Sequence, residues 1–267
     1  MMFGALAGRS LARHRTFIIA VATLLSAFQV LDIVVAHNLL ANQVYAQFAS
    51  LVPAFIQEGM GGVLVGSFSG AVALGFAHPI VMLSLSSVAI YLATEPAGEV
   101  EEGLVDLIVA RPVPRFLIVA RSALVFIVGS ATVVAAMFVT SRITVRWLAP
   151  ATAATLPAVR LGWVATNLLA IVWCFGGAAL AIASHVRQRM RAVGTVGVAA
   201  VFLYLLQFGA AAWKPLRPFA RVSPFHYYEP MQTLAGTMRP VSYVVGLWVA
   251  AMALFALAHV LYSRRDL

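Results

Sequence analysis

Long apolar stretches dominate this sequence and constrain its fold more than any other feature. A helix of about 20 apolar residues crosses a hydrocarbon core about 30 Å thick. Six stretches reach that length, at residues 16–36, 62–92, 116–141, 161–184, 192–213 and 241–262. Charged residues make up only 10% of the chain and hydrophobic ones 62%, too few charges to cover a soluble surface. The sequence therefore predicts an all-α integral membrane protein with six transmembrane helices.

No linker or change in composition divides these stretches, so residues 1–267 are expected to form a single transmembrane domain. Three parts of it lie outside the predicted spans. Residues 1–15 are basic and amphipathic, and precede an apolar stretch longer than the roughly 7–15 residues of a cleaved signal peptide. Residues 95–115 connect the second and third spans, and residues 214–240 are expected to form short helices at the outer interface. Pro79 predicts a kink in the second span.

The distribution of basic residues predicts how the chain is oriented. The formal net charge is +9, and an even number of spans places both termini on the same side. With the termini inside, the inner segments hold eleven of the basic residues and the outer segments seven. Since basic loops favour the cytoplasmic side, both termini and residues 95–115 are predicted to be cytoplasmic. Contact with lipid headgroups explains this charge, and no nucleic-acid partner is expected.

Acidic residues are concentrated between the second and third spans. Five of the nine acids in the chain fall within the twelve residues from Glu95 to Asp106. Apolar residues recur there at helical spacing (Val100, Leu104, Leu107, Ile108), and the acids Glu99, Glu102 and Asp106 fall on the opposite face. Pro96 suits a first helical turn, whereas Pro112 disfavours helix at the residue before it. We therefore expect an amphipathic helix of about three to four turns between these prolines.

The apolar face of such a helix needs a surface to rest on, because an isolated helix this short is marginal in water. The lipid headgroups, the chain's own bundle and a partner protein are the three available surfaces. An acidic helix is disfavoured at the anionic cytoplasmic leaflet. The pattern therefore indicates a docking site for a protein partner, and the alternative is a helix that only caps its own bundle.

Two segments carry a resemblance to a known family. The stretch "GEVEEGLVDLIVARPVPRFLIVARS" resembles the segment after the second membrane helix of ABC-2-type permeases, the membrane subunits of a class of ABC exporters. The matching positions are Glu102, Gly103, Leu104, Leu107, Ile108, Arg111, Pro112 and Arg115. Pro114 and Arg121 depart from the residues usual in that family. The stretch "SPFHYYEP", Ser223 to Pro230, is similar to one that many small ABC-2 permeases carry before their last span.

This resemblance implies a bundle of the type V exporter kind that works as a homodimer in the bacterial plasma (inner) membrane. Each dimer would bind two separate ATP-binding cassette ATPases. The cytosolic helix would be the coupling helix, through which ATP-driven closure of the ATPases switches the bundle between inward and outward access. The coupling residues would be Glu99, Glu101, Glu102, Gly103, Leu104, Asp106, Leu107, Arg111, Pro112 and Arg115.

The chain is not expected to be an enzyme itself. It has no phosphate-binding loop of the P-loop type, and its sole lysine, Lys214, lies in a predicted outer segment. No cofactor is therefore expected on this chain, and ATP and Mg²⁺ would be bound by the partner ATPase.

Small and acidic residues within the spans suggest further roles. Gly62, Gly66 and Gly70 share one face of the second span and allow close helix packing, either within the chain or at a dimer seam or pathway. Asp32 is the one acid within a predicted span, and Gln29 shares its face. Intramembrane carboxylates are often functional. An ion-coupled secondary transporter that uses Asp32 is one alternative function, and a non-transporting membrane scaffold is another.

Overall fold

The computed structural model describes residues 2–41, 67–103, 114–150, 153 and 156–264. Within these ranges the regular structure is helical throughout, without strands. Numbered in chain order, the helices are α1 (Met2–Ala41), α2 (Phe68–Ala77), α3 (Pro79–Ala93), α4 (Glu95–Glu101), α5 (Arg115–Leu148), α6 (Ala158–Ala183), α7 (Arg189–Ala212), α8 (Arg217–Ala220), α9 (Pro230–Ala235) and α10 (Val241–Ser263).

Among the described residues, six helices or helix pairs are long and apolar enough to cross a membrane. They are Phe3–Leu39, Phe68–Ala93, Phe116–Leu148, Ala158–Ala183, Arg189–Ala212 and Val241–Ser263. Each matches one of the six spans predicted from hydropathy, which confirms a multi-pass membrane protein built from helices. The match follows from the bilayer itself, because a chain segment in lipid must satisfy its backbone hydrogen bonds internally.

Two spans differ in detail from a plain helix of bilayer length. The basic N-terminal residues, predicted as a separate segment, are continuous with the first span in the 40-residue helix α1. The second span is broken at His78, whose backbone is extended, and Pro79 begins α3. This break confirms the predicted kink, because proline cannot donate to the preceding turn.

The spans alternate in direction, so the bundle has two ends. At the end that carries α4, the beginning of α1 lies beside Glu95, and the last turns of α10 lie near the start of α5, where the rings of Phe116 and His259 are 6.4 Å apart. At the opposite end lie α8 and α9. The start of α1 and the end of α10 are therefore on the same side, as an even number of spans requires.

The core lies around α6, which packs along α10 and also contacts α3 and α5, while α1 packs along α5. Fully buried residues from these helices and from α2 fill it, among them Leu25, Phe76, Phe126, Leu168 and Leu180. The helices α7 and α10 are apolar but expose most of their surface, with Phe202, Leu205, Val249 and Met252 among the exposed side chains. Such faces are suited to lipid or to another membrane protein.

The segment between α7 and α10 consists of short helices, as predicted, and α9 packs against α2 and α6. Side-chain bonds fix it to the spans: Asn167 Nδ2 donates to the Tyr227 carbonyl at 2.9 Å, and Ser223 Oγ donates to the Leu203 carbonyl at 3.0 Å. The segment therefore forms part of the bundle at this end.

Candidate functional site

The short helix α4 follows directly on the second span. Pro96 occupies its first turn, where a missing backbone N–H costs nothing. The helix ends at Glu101: the N–H of Glu102 donates to the Gly98 carbonyl, and Gly103 adopts a left-handed backbone with φ of +69°. Glycine is favoured at such a position because it has no Cβ to clash.

Because α4 ends at Glu101, it is shorter than the helix predicted from the sequence. A single helix from Pro96 to Pro112 was predicted, with Gly103 inside it, but α4 is seven residues long and Gly103 lies beyond its end. The apolar spacing of Val100, Leu104 and Leu107 suggested continuity. The glycine interrupts that pattern, since glycine after a helix stabilises termination more than continuation.

Glu95 lies in a buried polar site between α4 and α1. Only 4% of the residue is exposed. Ser10 Oγ lies 2.7 and 2.6 Å from its two carboxylate oxygens, and His14 Nε2 lies 3.7 Å from Oε1. Ser10 and His14 are four residues apart and share one face of α1. Burial alone would raise the pKa of Glu95, but His14, Arg121 and Ser10 together hold it below its ordinary value.

Arg121 supplies the positive charge of this site. Its side chain, 5% exposed, extends from the first turns of α5. Nη2 lies 2.7 Å from Glu99 Oε2, in a charge-assisted hydrogen bond, and 3.8 Å from Glu95 Oε2. Two buried carboxylates thus share one buried guanidinium. Such charges are tolerated in a low-dielectric interior only when they are paired.

Arg189 connects α4 to the fifth span, at the first residue of α7. Its backbone N–H donates to Glu101 Oε2 at 2.9 Å, so an acid caps the positive end of that helix. Its guanidinium donates to the Tyr91 carbonyl at 2.9 Å and lies 4.2 Å from the centre of the Tyr91 ring. The side chain also passes close to Gly98, where a Cβ atom would lie 3.2 Å from its Cδ.

These contacts correct the predicted orientation of α4. Glu99 was expected on the face opposite an apolar face that docks on a partner protein. Instead Glu95 and Glu99 point into the bundle, and Ala97 packs against Ala183 and Ala192 of α6 and α7. The described part of the acidic run rests on its own bundle because Arg121 attracts the acids inward. Glu99 is therefore enclosed by this chain, and its coupling role stays a prediction.

The remaining predicted coupling residues fall into two groups. Glu101, Glu102 and Gly103 are exposed, and Glu102 lies 3.7 Å from Arg13 in an exposed ion pair. Arg115 begins α5. Leu104, Asp106, Leu107, Arg111 and Pro112 lie outside the described residues.

Of the predicted pathway residues, the two that the structure describes, Gly70 and Asp32, lie towards the other end of the bundle. Gly62 and Gly66 are outside the described residues, and Gly70 is buried in the first turn of α2. Asp32 packs against Gly75 of the second span, together with Gln29, whose Nε2 donates to the Gly75 carbonyl at 3.1 Å. Ser141 Oγ lies 3.4 Å from Gln29 Oε1. Spans one, two and three thus meet at a small polar cluster.

Sequence reasoning missed Ser10, His14 and Arg121 as partners of the acidic run. One signal was available, because Arg121 lies in the apolar stretch "FLIVARSALVF" and a charge in such a stretch needs a counter-charge. The nearest surplus of acids in the sequence is the run at 95–106.

Two comparisons with known proteins found no relative of this chain. The sequence matches no protein-family model. A search of the curated proteins also finds no match. Within its described residues, the chain has six helices or helix pairs long and apolar enough to cross a membrane and a buried ion-pair cluster at one end of their bundle.

Proposed function

We propose that this chain is the membrane subunit of an ATP-driven ABC-2-type exporter, with ATP hydrolysis supplied by two separate ATPase subunits. The observation that carries the proposal is the set of bonds around α4. Ser10 and His14 join it to the first span, Arg121 to the third and Arg189 to the fifth. A short helix outside the membrane is thereby connected to three of the six spans.

This connection is what an energy-transducing helix requires. A charge buried without its partner costs several kcal/mol, so α4 cannot move away from Arg121 while the spans stay in place. A displacement of α4 therefore moves α1, α5 and α7 with it. Packed helices respond to such a displacement by shifting between discrete arrangements. Closure of an ATPase dimer against this end would be converted into a rearrangement of the spans.

The docking surface begins at the exposed residues Glu101, Glu102 and Gly103 and continues into residues 104–113. In this proposal the α4 end faces the cytoplasm of a bacterial inner membrane, where ATP is available, and a second copy of the chain completes the transporter. The bias of basic residues towards this end supports the orientation.

Co-purification tests the docking surface. The tagged chain is co-expressed with candidate ABC ATPases, beginning with any encoded beside it, and the complex is isolated in detergent. Leu104→Asp with Leu107→Asp is expected to abolish recovery of the ATPase, because charge on an apolar docking face is not compensated. The matched control is Phe219→Asp with Val222→Asp, two exposed apolar residues at the opposite end of the bundle. Equal recovery in both double variants would reject the proposed coupling.

A second candidate function follows from Asp32. Its Oδ2 atom is buried and has no hydrogen-bond partner within the described part of the chain. An unsatisfied carboxylate oxygen at membrane depth is suited to binding a proton or a cation. An ion-coupled transporter would move substrate into proteoliposomes without any ATPase, driven by an ion gradient, and Asp32→Asn would stop it. The ATP-driven exporter predicts no such transport.

A further inference from the structure

A cavity of about 320 Å³ lies at the end of the bundle opposite α4. It is enclosed by the break in the second span, by the last turns of α7 and by the segment 225–231. Its size is in the range of small-molecule sites. Most of its wall is apolar or aromatic, formed by Leu74, Met82, Tyr204, Phe208, Phe225 and Met231.

Besides His78 at its edge, three polar side chains interrupt this apolar wall. Tyr228 is only 8% exposed, and its hydroxyl has no hydrogen-bond partner among the described residues. The same holds for Oε1 of Gln207, one helical turn after Tyr204 on α7. Buried polar atoms are normally satisfied, so two atoms without a partner beside the same cavity are suited to binding a polar group of a ligand.

Glu229 is the third polar residue and gives the cavity its charge. Its Oε2 accepts a hydrogen bond from Gln232 Nε2 at 3.4 Å, and no basic group of the described chain forms an ion pair with it. Burial raises the pKa of Glu229 above its ordinary value. A cation placed beside this carboxylate would supply the counter-charge that the described residues do not.

The basic groups of this region belong to an adjoining polar cavity. Arg217, Arg221 and His226 line that second cavity, which shares Gln207 and Glu229 with the first. The two arginines are exposed, so solvent screens their charge. Burial and the charge of Arg221 lower the pKa of His226 below its ordinary value, which disfavours its charged form. His78, at the edge of the apolar cavity, accepts the Ile80 N–H through Nδ1.

The geometry points to a binding site for an organic cation with an apolar body in the cavity between the break in the second span, α7 and residues 225–231. The ammonium group lies between Glu229 and the rings of Tyr204, Phe208 and Phe225, which attract it through their π faces. The apolar body fills the space beside Leu74 and Met82. Binding itself does not require the exporter function proposed above; only the identification of this cation as cargo rests on it.

Binding is tested with the purified chain in uncharged maltoside micelles, without any ATPase, by isothermal titration calorimetry. The probes are benzyltrimethylammonium and phenylmethanesulfonate, which are similar in size and opposite in charge. The cation is expected to bind saturably and the anion not to bind. Preferential binding of the anion, or no saturable binding of the cation, overturns the proposal.

Variants locate the site. Glu229→Gln is expected to weaken binding of the cation by about tenfold or more, the scale of one lost close charge pair. Phe208→Leu removes a ring that is 54% exposed and so spares the core, and a loss of about threefold or more is expected from the lost cation–π contact. Arg217→Gln is the control and should leave binding unchanged or tighter. If Phe208→Leu and a folded Glu229→Gln both bind as the unaltered chain does, the site is wrong.

The same ammonium chemistry occurs in soluble cations and in choline lipid headgroups. A competition with short-chain phosphatidylcholine separates the two sources. Displacement of benzyltrimethylammonium assigns the site to a lipid headgroup, and no displacement by the lipid assigns it to a soluble cation.

Discussion

Arg121 and Glu99 form a buried ion pair, with Nη2 and Oε2 2.7 Å apart, at the point where α4 meets the third span. The side chains are 5% and 8% exposed. A third group, Glu95, lies 3.8 Å from the same guanidinium nitrogen. The cluster thus holds one more carboxylate than guanidinium, and Ser10 and His14 of the first span complete its polar surroundings. The stability of the bundle should therefore depend both on the guanidinium and on the ionisation of Glu95.

Replacing Arg121 by methionine is expected to destabilise the chain strongly, by about 3–5 kcal/mol, because two buried carboxylates lose their cation. The matched control is Arg13→Gln, which removes an ion pair to Glu102 whose side chains are 56% and 53% exposed. Exposed pairs contribute about 0–1 kcal/mol. Unfolding by sodium dodecyl sulfate from maltoside micelles measures both, and equal effects would contradict the buried pair.

Acid is expected to destabilise the chain through Glu95. Its pKa in the folded chain is below its ordinary value of 4.5, so the carboxylate stabilises the fold above pH 4.5 and this contribution is lost as the pH falls through the folded pKa. Thermal unfolding midpoints measured from pH 7 to pH 3 should decline below pH 4.5. The decline should be smaller in Glu95→Gln, which cannot titrate; a parallel decline in both proteins would show that another group is responsible.

The Arg189 guanidinium is expected to stabilise the junction of α4 with α7. Arg189→Gln removes both its hydrogen bond to the Tyr91 carbonyl and its contact with the Tyr91 ring, worth together about 1–3 kcal/mol. Arg191→Gln, an exposed arginine two residues further along the same helix, serves as control and should change unfolding little. A smaller loss in Arg189→Gln than in Arg191→Gln would argue against the contact.

A methyl group at Gly75 is expected to collide with Asp32 and Gln29 of the first span. Gly75→Ala should lower stability by about 1–3 kcal/mol, the usual cost of overpacking. Asp32→Ala in the same chain should recover most of that loss, because it removes the carboxylate atoms that the new methyl group would contact. The interaction energy from a double-mutant cycle measures this directly. Simple additivity of the two effects would mean that the side chains do not meet.

Hydropathy was sufficient to predict the spans, and the reason is physical. In lipid the choice of structure is narrow, so length and apolar content decide each span almost alone. The break at His78 was also predictable, since Pro79 interrupts the backbone hydrogen bonds whatever surrounds it. Local chemistry determines both features.

The orientation of α4 was not predictable in this way. Amphipathic spacing assigns acids to solvent, and Glu99 is buried because Arg121, 22 residues away, neutralises it. Ser10 lies 85 residues from Glu95 in the sequence. Contacts of this range depend on which spans become neighbours, and hydropathy carries no information about that. The cavity beside Glu229 was unpredictable for the same reason.

The left-handed Gly103 closes the described part of the acidic run. Before it, Glu95, Glu99 and Glu101 are each bonded to another part of the chain, so substitutions there alter the stability of the whole bundle. Transplanting α4 into another bundle would therefore require Ser10, Arg121 and the first residue of α7, Arg189, to be transferred with it.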